Sequence, residues 1–134
     1  MRNQKGFSLV ELIIVIAIMA VLIGLLAPQY MKFVQRSKVS ADMANAVSIA
    51  DAVNAAIADA GINEIPNTLS GSAGDVVSNV PGLSVWPDSK VNRSQADWVV
   101  TSTSDDGVTE ITLNGIKIYP GSGSQNAYYV AHYR

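Results

Sequence analysis

The distribution of apolar and polar positions divides the chain into three stretches of different period. From Phe7 to Ala27, 21 residues run almost without polar interruption, and only Ser8, Glu11 and Gly24 are neither large apolar residues nor alanine. As a helix this run is about 31 Å long, the thickness of a bilayer's hydrocarbon core. Beyond Tyr30 the pattern becomes amphipathic. Val39, Met43, Ala46, Ala50, Val53 and Ile57 follow alternating spacings of four and three, while Ser40, Asp42, Asn45, Asp51, Asn54 and Asp59 occupy the positions around that stripe. Nine alanines between Ala41 and Ala60 keep helix propensity high. Gly61 with Ile62 reads as the helix end, and Pro66 bars continuation. The stripe covers fewer than three heptads, so it is expected to pack on the chain's own sheet rather than on a coiled-coil partner.

Residues 61–96 are rich in Gly, Ser, Asn, Asp and Pro, with apolar clusters at Val76-Val77 and at Leu83-Ser84-Val85-Trp86. A loop of this length inside a domain needs some order of its own, and a short helix over Ala73–Asn79 is one expectation for it. From Asp97 onward the pattern is β. Asp97–Ser102 reads as a strand, Ser104-Asp105-Asp106-Gly107 as a turn, and Val108–Leu113 as an alternating strand. Asn114-Gly115 is a two-residue hairpin signal before Ile116–Tyr119, and Ala127–Tyr133 reads as a last strand. The expected class is α+β, with one long N-terminal helix and an antiparallel sheet of three to four strands laid on its second half.

Composition narrows the function. Nine Lys and Arg stand against eleven Asp and Glu, so no basic stripe exists to neutralise phosphates along a nucleic acid. Cysteine is absent, which removes disulfides, thiolate nucleophiles and Cys-based zinc sites. Arg2 and Lys5 precede the apolar run, so the extreme N-terminus is expected in the cytoplasm and the remainder outside it. The run is longer than the apolar core of a secretory signal peptide, and Leu25–Tyr30 offers no small-residue cleavage pattern.

Glu11 is the anomaly in that run. A carboxylate inside an apolar helix costs about 2.5–3.5 kcal/mol on insertion scales, and such groups usually have a partner or a function. A free amine would serve as partner, and cutting between Gly6 and Phe7 would create one. Gly24 and Pro28, four residues apart, mark the place where the helix should bend or melt. Lys32, Arg36 and Lys38 form a basic collar beyond the apolar run. It faces solvent, lipid headgroups or acidic groups of neighbouring copies.

Lys5-Gly6-Phe7-Ser8-Leu9-Val10-Glu11-Leu12-Ile13, with Pro28 and Tyr30 beyond it, resembles the class III signal and N-terminal helix of type IV pilins and their pseudopilin relatives. The resemblance covers about residues 5–36. It implies removal of the leader Met1–Gly6 by a prepilin peptidase, N-methylation of the new terminal Phe7, and pairing of Glu11 with the terminal amine of a neighbouring subunit. It also implies a homo-oligomeric helical filament, drawn from an inner-membrane pool by the pilus assembly machinery. The expected divisions are a leader at 1–6, a membrane and assembly helix at 7–29, an amphipathic helix at 30–60, a variable connector at 61–96 and the sheet at 97–134. The cysteine pair of many type IV pilins is missing, which fits other lineages or a pseudopilin.

The function expected is therefore that of a pilus subunit serving adhesion, motility or DNA uptake, with a pseudopilin of a type II secretion or competence system as the alternative. A membrane-anchored binding module that never polymerises is the different class, and an uncut Met1–Gly6 would favour it. Loss of Arg2 and Lys5 leaves seven Lys and Arg against eleven Asp and Glu, so direct nucleic-acid binding is not expected. No metal or catalytic site is expected. His132 alternates with Val130 and Tyr128 on an edge strand, and Asp105, Asp106 and Glu110 read as turn chemistry rather than a calcium site. Without a nucleophile or phosphate-loop motif, the chain is not expected to be an enzyme or to need a cofactor.

Overall fold

The computed structural model describes residues 6–60, 66–77, 80–91, 96–103 and 106–120. The expected helix-ending pair Gly61-Ile62, turn residues Ser104 and Asp105, and last strand Ala127–Tyr133 with His132 lie outside the described residues. The chain divides into two units, Met1–Val34 and Gln35–Arg134. Helix α1 runs from Leu9 to Ala60, and the described sheet has four antiparallel strands in the order β1-β2-β3-β4: β1 Thr68–Ser72, β2 Asp97–Thr103, β3 Gly107–Leu113 and β4 Ile116–Tyr119. This is the α+β arrangement expected.

In the first unit every described residue from Gly6 to Phe33 is exposed. Large apolar side chains therefore face outward on all sides of the helix, as a segment made for an apolar surrounding requires. Pro28 lies inside α1 without breaking it. Proline has no N–H, so the carbonyl four residues earlier, at Gly24, loses its helical donor.

In the second unit, a core joins one face of α1 to the sheet: Val39, Ala46, Ile49, Ala50, Val53 and Ala56 meet Trp98, Val100, Ile111, Leu113 and Ile118. The buried face is rotated from the expected stripe. Met43 and Ile57 are only half-buried, while Asp42, Ile49 and Ala56 are buried instead, so the packed line follows 42, 46, 49, 53 and 56. Asp42 had been expected among the surrounding polar positions. It is buried because Ser89 Oγ donates to it at 2.7 Å and the Lys90 and Val91 backbone N–H groups donate at 2.6 and 3.3 Å. Asn54 acts similarly, its Oδ1 accepting the Val108 N–H at 2.9 Å and tying α1 to β3.

The connector is more ordered than its composition suggested. Its residues Thr68–Ser72 form edge strand β1 against β2. The described residues 73–77 are not a helix. Gly74 takes a φ of +88°, the Asp75 N–H returns to the Ser72 carbonyl at 3.0 Å, and Val76 pairs with Val85 across the chain. A left-handed residue and a carboxylate accepting the Ser72 N–H close a turn where a helix would have to start. The β3–β4 hairpin does form at Asn114-Gly115, both with positive φ (52° and 76°), the signature of a type I′ turn.

Gly71 on β1 lies under the Trp86 indole: a Cβ there would overlap the ring, with Cε2 only 2.8 Å away and two further ring atoms closer still. Gly71→Ala is expected to cost about 1–3 kcal/mol of stability by overpacking. Thermal unfolding of the full chain in detergent, followed by tryptophan fluorescence, would show this as a lower midpoint with an unchanged helical signal.

Candidate assembly site

The functional side chains expected near the N-terminus are organised by a helix cap. Ser8 precedes the first helical residue, its Oγ accepts the Val10 N–H at 3.3 Å, and its carbonyl accepts the Leu12 N–H at 3.2 Å. Glu11, three residues on, reaches back so that Oε2 accepts the Ser8 N–H at 2.8 Å. Together these are a capping box, which satisfies donors that a helix start otherwise leaves to solvent. A carboxylate in the first turn also sits favourably in the positive end of the helix dipole.

Glu11 is thus turned toward the N-terminus, with one oxygen engaged by Ser8. Gly6 and Phe7 precede the helix and are exposed, Phe7 at 92%. A peptidase needs an accessible backbone outside regular structure, and Gly6 and Phe7 are exposed and lie before the start of α1. A terminal amine created at Phe7 would stand one residue from the N–H that already binds Glu11. Glu11 is the sole charged residue between Gly6 and Met31.

Gly24 and Pro28 are not part of this cluster. They lie 13 and 17 residues beyond Glu11, about 20 and 25 Å along a helix, and a Cβ at Gly24 would meet nothing within 4 Å. Ser8 was missed as a contributor, although Ser8-Leu9-Val10-Glu11 before an apolar run is the sequence form of the capping box. Of the acids considered as turn chemistry, Glu110 forms an ion pair with Lys117 at 3.0 Å across the β3–β4 hairpin. Among the described residues no group of three His, Cys, Asp or Glu is placed to hold a metal ion.

Comparison with known proteins finds the same segment. Residues 1–27 match the family model for the prokaryotic N-terminal methylation motif. The chain is 39% identical over 56 residues to a type IV major fimbrial protein FimA of Dichelobacter nodosus, which is 42% of this chain and 36% of that protein. It is 37% identical over 57 residues to a fimbrial protein of Pseudomonas aeruginosa, 42% of this chain and 37% of the relative. With the fimbrial protein EcpC of Eikenella corrodens the identity is 38% over 73 residues, 54% of this chain and 48% of EcpC. The matched stretch thus spans between 36% and 48% of the length of these relatives. No solved structure matches.

Proposed function

We propose that this chain, whose N-terminal segment is similar to those of type IV fimbrial proteins, is the structural subunit of a type IV pilus, polymerising through α1 into a surface filament. The observation that carries the reading is an α1 surface exposed and apolar on all sides from Leu9 to Ala27, with one carboxylate, Glu11, held beside an exposed Gly6–Phe7 bond. The fimbrial names of the relatives favour a pilus over the pseudopilin alternative.

In this reading the protein is not an enzyme, and its chemistry is done to it. The precursor spans the inner membrane with Arg2 and Lys5 on the cytoplasmic side. A prepilin peptidase cuts between Gly6 and Phe7 and methylates the Phe7 amine. The assembly machinery then moves the subunit into the fibre, where that amine meets the Glu11 carboxylate of a neighbour. Lipid tails are as apolar as leucine, so the hydrophobic effect does not drive such helices together. A charge pair removes two costly charges from the apolar interior and fixes the axial register, because any other register leaves both unpaired. The leader 1–6, assembly helix 7–29, amphipathic helix 30–60, connector 61–96 and sheet 97–134 divide the work accordingly, and the fibre's adhesive, motile or DNA-uptake role follows from its machinery.

The Gly24–Pro28 stretch is proposed to lose helix in the fibre. Glycine costs a helix about 1 kcal/mol and proline about 3 kcal/mol, so this is its weakest turn. A cryo-electron microscopy map of sheared filaments should show 7–29 in the filament interior with an extended break between Gly24 and Pro28. A Gly24→Ala/Pro28→Ala filament should show unbroken helix there. Continuous helix in the unsubstituted filament would reject the break, and a fibre lacking this chain would reject the subunit.

A further inference from the structure

We propose that the turn Ser89–Val91 is a carboxylate-binding nest, filled in this chain by its own Asp42, and that it makes residues 87–91 a strap latched to α1 at one end and able to open there. The inference lies wholly within the second unit and is independent of the pilus reading.

The site is built from successive donors on one short turn. Asp42 is fully buried on α1. Its Oδ1 accepts the Lys90 N–H at 2.6 Å, while its Oδ2 accepts the Ser89 hydroxyl at 2.7 Å and the Val91 N–H at 3.3 Å. Two consecutive N–H groups converging on one anion form a concavity with a fixed partial positive charge. Ser89 is also fully buried, and its Oγ accepts the Val91 N–H at 3.1 Å while donating to Asp42, so the turn closes on the anion from inside. Bonds of this kind to an ionised acceptor are roughly twice as strong as neutral ones.

Geometry selects the class of ligand. Donors meet both oxygens of one planar group in a buried place. Chloride, a single atom, cannot bridge them, and a phosphate or sulfate brings further oxygens that would be buried without donors. A small monocarboxylate fits.

The neighbouring contacts make the strap asymmetric. At its start the Trp98 indole on β2, itself fully buried, donates to the Pro87 carbonyl at 2.9 Å. Next, Asn45 Nδ2 on α1 donates to the Asp88 carbonyl at 3.3 Å. Beyond that point the three donors of Ser89, Lys90 and Val91 all rest on Asp42. Lys90 is exposed and Val91 half-buried, so the nest lies next to solvent. Loss of the Asp42 charge therefore frees the 88–91 end while Pro87 stays tied to the sheet.

The test is the full chain carrying Asp42→Ala, held in detergent micelles. The substitution keeps Cβ and removes a group with the shape of formate. Stability is measured by chemical denaturation in sodium formate, in sodium chloride, and in sodium chloride with the neutral isostere formamide, while the Lys90 and Val91 amide resonances are followed in the folded variant. In about 0.5 M formate the unfolding equilibrium constant should be about fivefold smaller than in chloride, as a site with a Kd of about 0.1 M gives. Formamide should give no gain, both resonances should return toward their wild-type positions, and the wild-type chain, whose nest is full, should not respond. Formate acting no better than chloride, or matched by formamide, would overturn the nest. An equal gain in the wild-type chain would do so as well. Where Asp42→Ala is unfolded in every salt, Ser89→Ala decides, because it keeps the carboxylate and both N–H donors. That variant should fold with its Lys90 N–H still protected from hydrogen exchange, and failure to fold or loss of that protection would assign the latch to the hydroxyl and overturn the proposal.

Discussion

Glu11→Gln is expected to give a chain that folds and enters the membrane yet yields almost no surface filament. The amide oxygen of Gln still accepts the Ser8 N–H, so the cap that Glu11 closes at 2.8 Å is kept and α1 starts where it did. What disappears is the negative charge. In the proposed fibre, the Phe7 amine of each neighbour then sits in an apolar surrounding without its partner, the case in which a buried pair is costly to break, at about 3–5 kcal/mol. That is roughly a hundredfold or more in the equilibrium for adding each subunit. The ratio of subunit in the sheared surface fraction to subunit in the membrane measures it. Glu11→Ala removes the cap as well and should cost the helix start about a further 1 kcal/mol. Filament from Glu11→Gln in wild-type amount would contradict the amine pairing while leaving the cap in place.

Asp42→Ala is expected to destabilise the folded second unit strongly although it removes no apolar side chain. The carboxylate is fully buried and accepts from Ser89 Oγ and the Lys90 and Val91 N–H groups. Val91 keeps an alternative acceptor in Ser89 Oγ at 3.1 Å, whereas Lys90 N–H and Ser89 Oγ both lose the Asp42 carboxylate as acceptor. Losing hydrogen bonds to a buried carboxylate costs about 1.5–3 kcal/mol each, so a loss of about 3 kcal/mol is expected. Asp42→Asn, which keeps one acceptor oxygen, should lose about half of that. Chemical denaturation of the detergent-held chain checks both, and a loss below about 1 kcal/mol for Asp42→Ala would mean that the loop at 88–91 is not held through this carboxylate.

The parts of the fold that were legible are those whose signal is local. The apolar run, the long N-terminal helix and the Asn114-Gly115 hairpin each rest on neighbours within a few residues. Asp42 was misplaced because its burial depends on a loop 47 residues away that brings three donors to it. Binary patterning alone puts an acid on the wet face. Strand β1 escaped for a related reason: Thr-Leu-Ser-Gly-Ser carries little strand propensity, and its order comes from pairing with β2 and from the Trp86 ring over Gly71. The candidate site is a local pattern, since Gly6, Phe7 and Glu11 lie within six residues. Ser8 is equally local, since Ser8-Leu9-Val10-Glu11 has the form of a capping box, but pairing Glu11 with an intermolecular amine leaves that cap out of account.

The most direct test of the central claim is the intact mass and N-terminal sequence of this protein in material sheared from the surface of the cells that make it. A mature chain beginning at N-methylated Phe7 in that fraction is the result expected, because it requires cleavage after Gly6, methylation and export into a fibre together. A chain still beginning at Met1, or one found only in the envelope, would contradict the assignment as a pilus subunit.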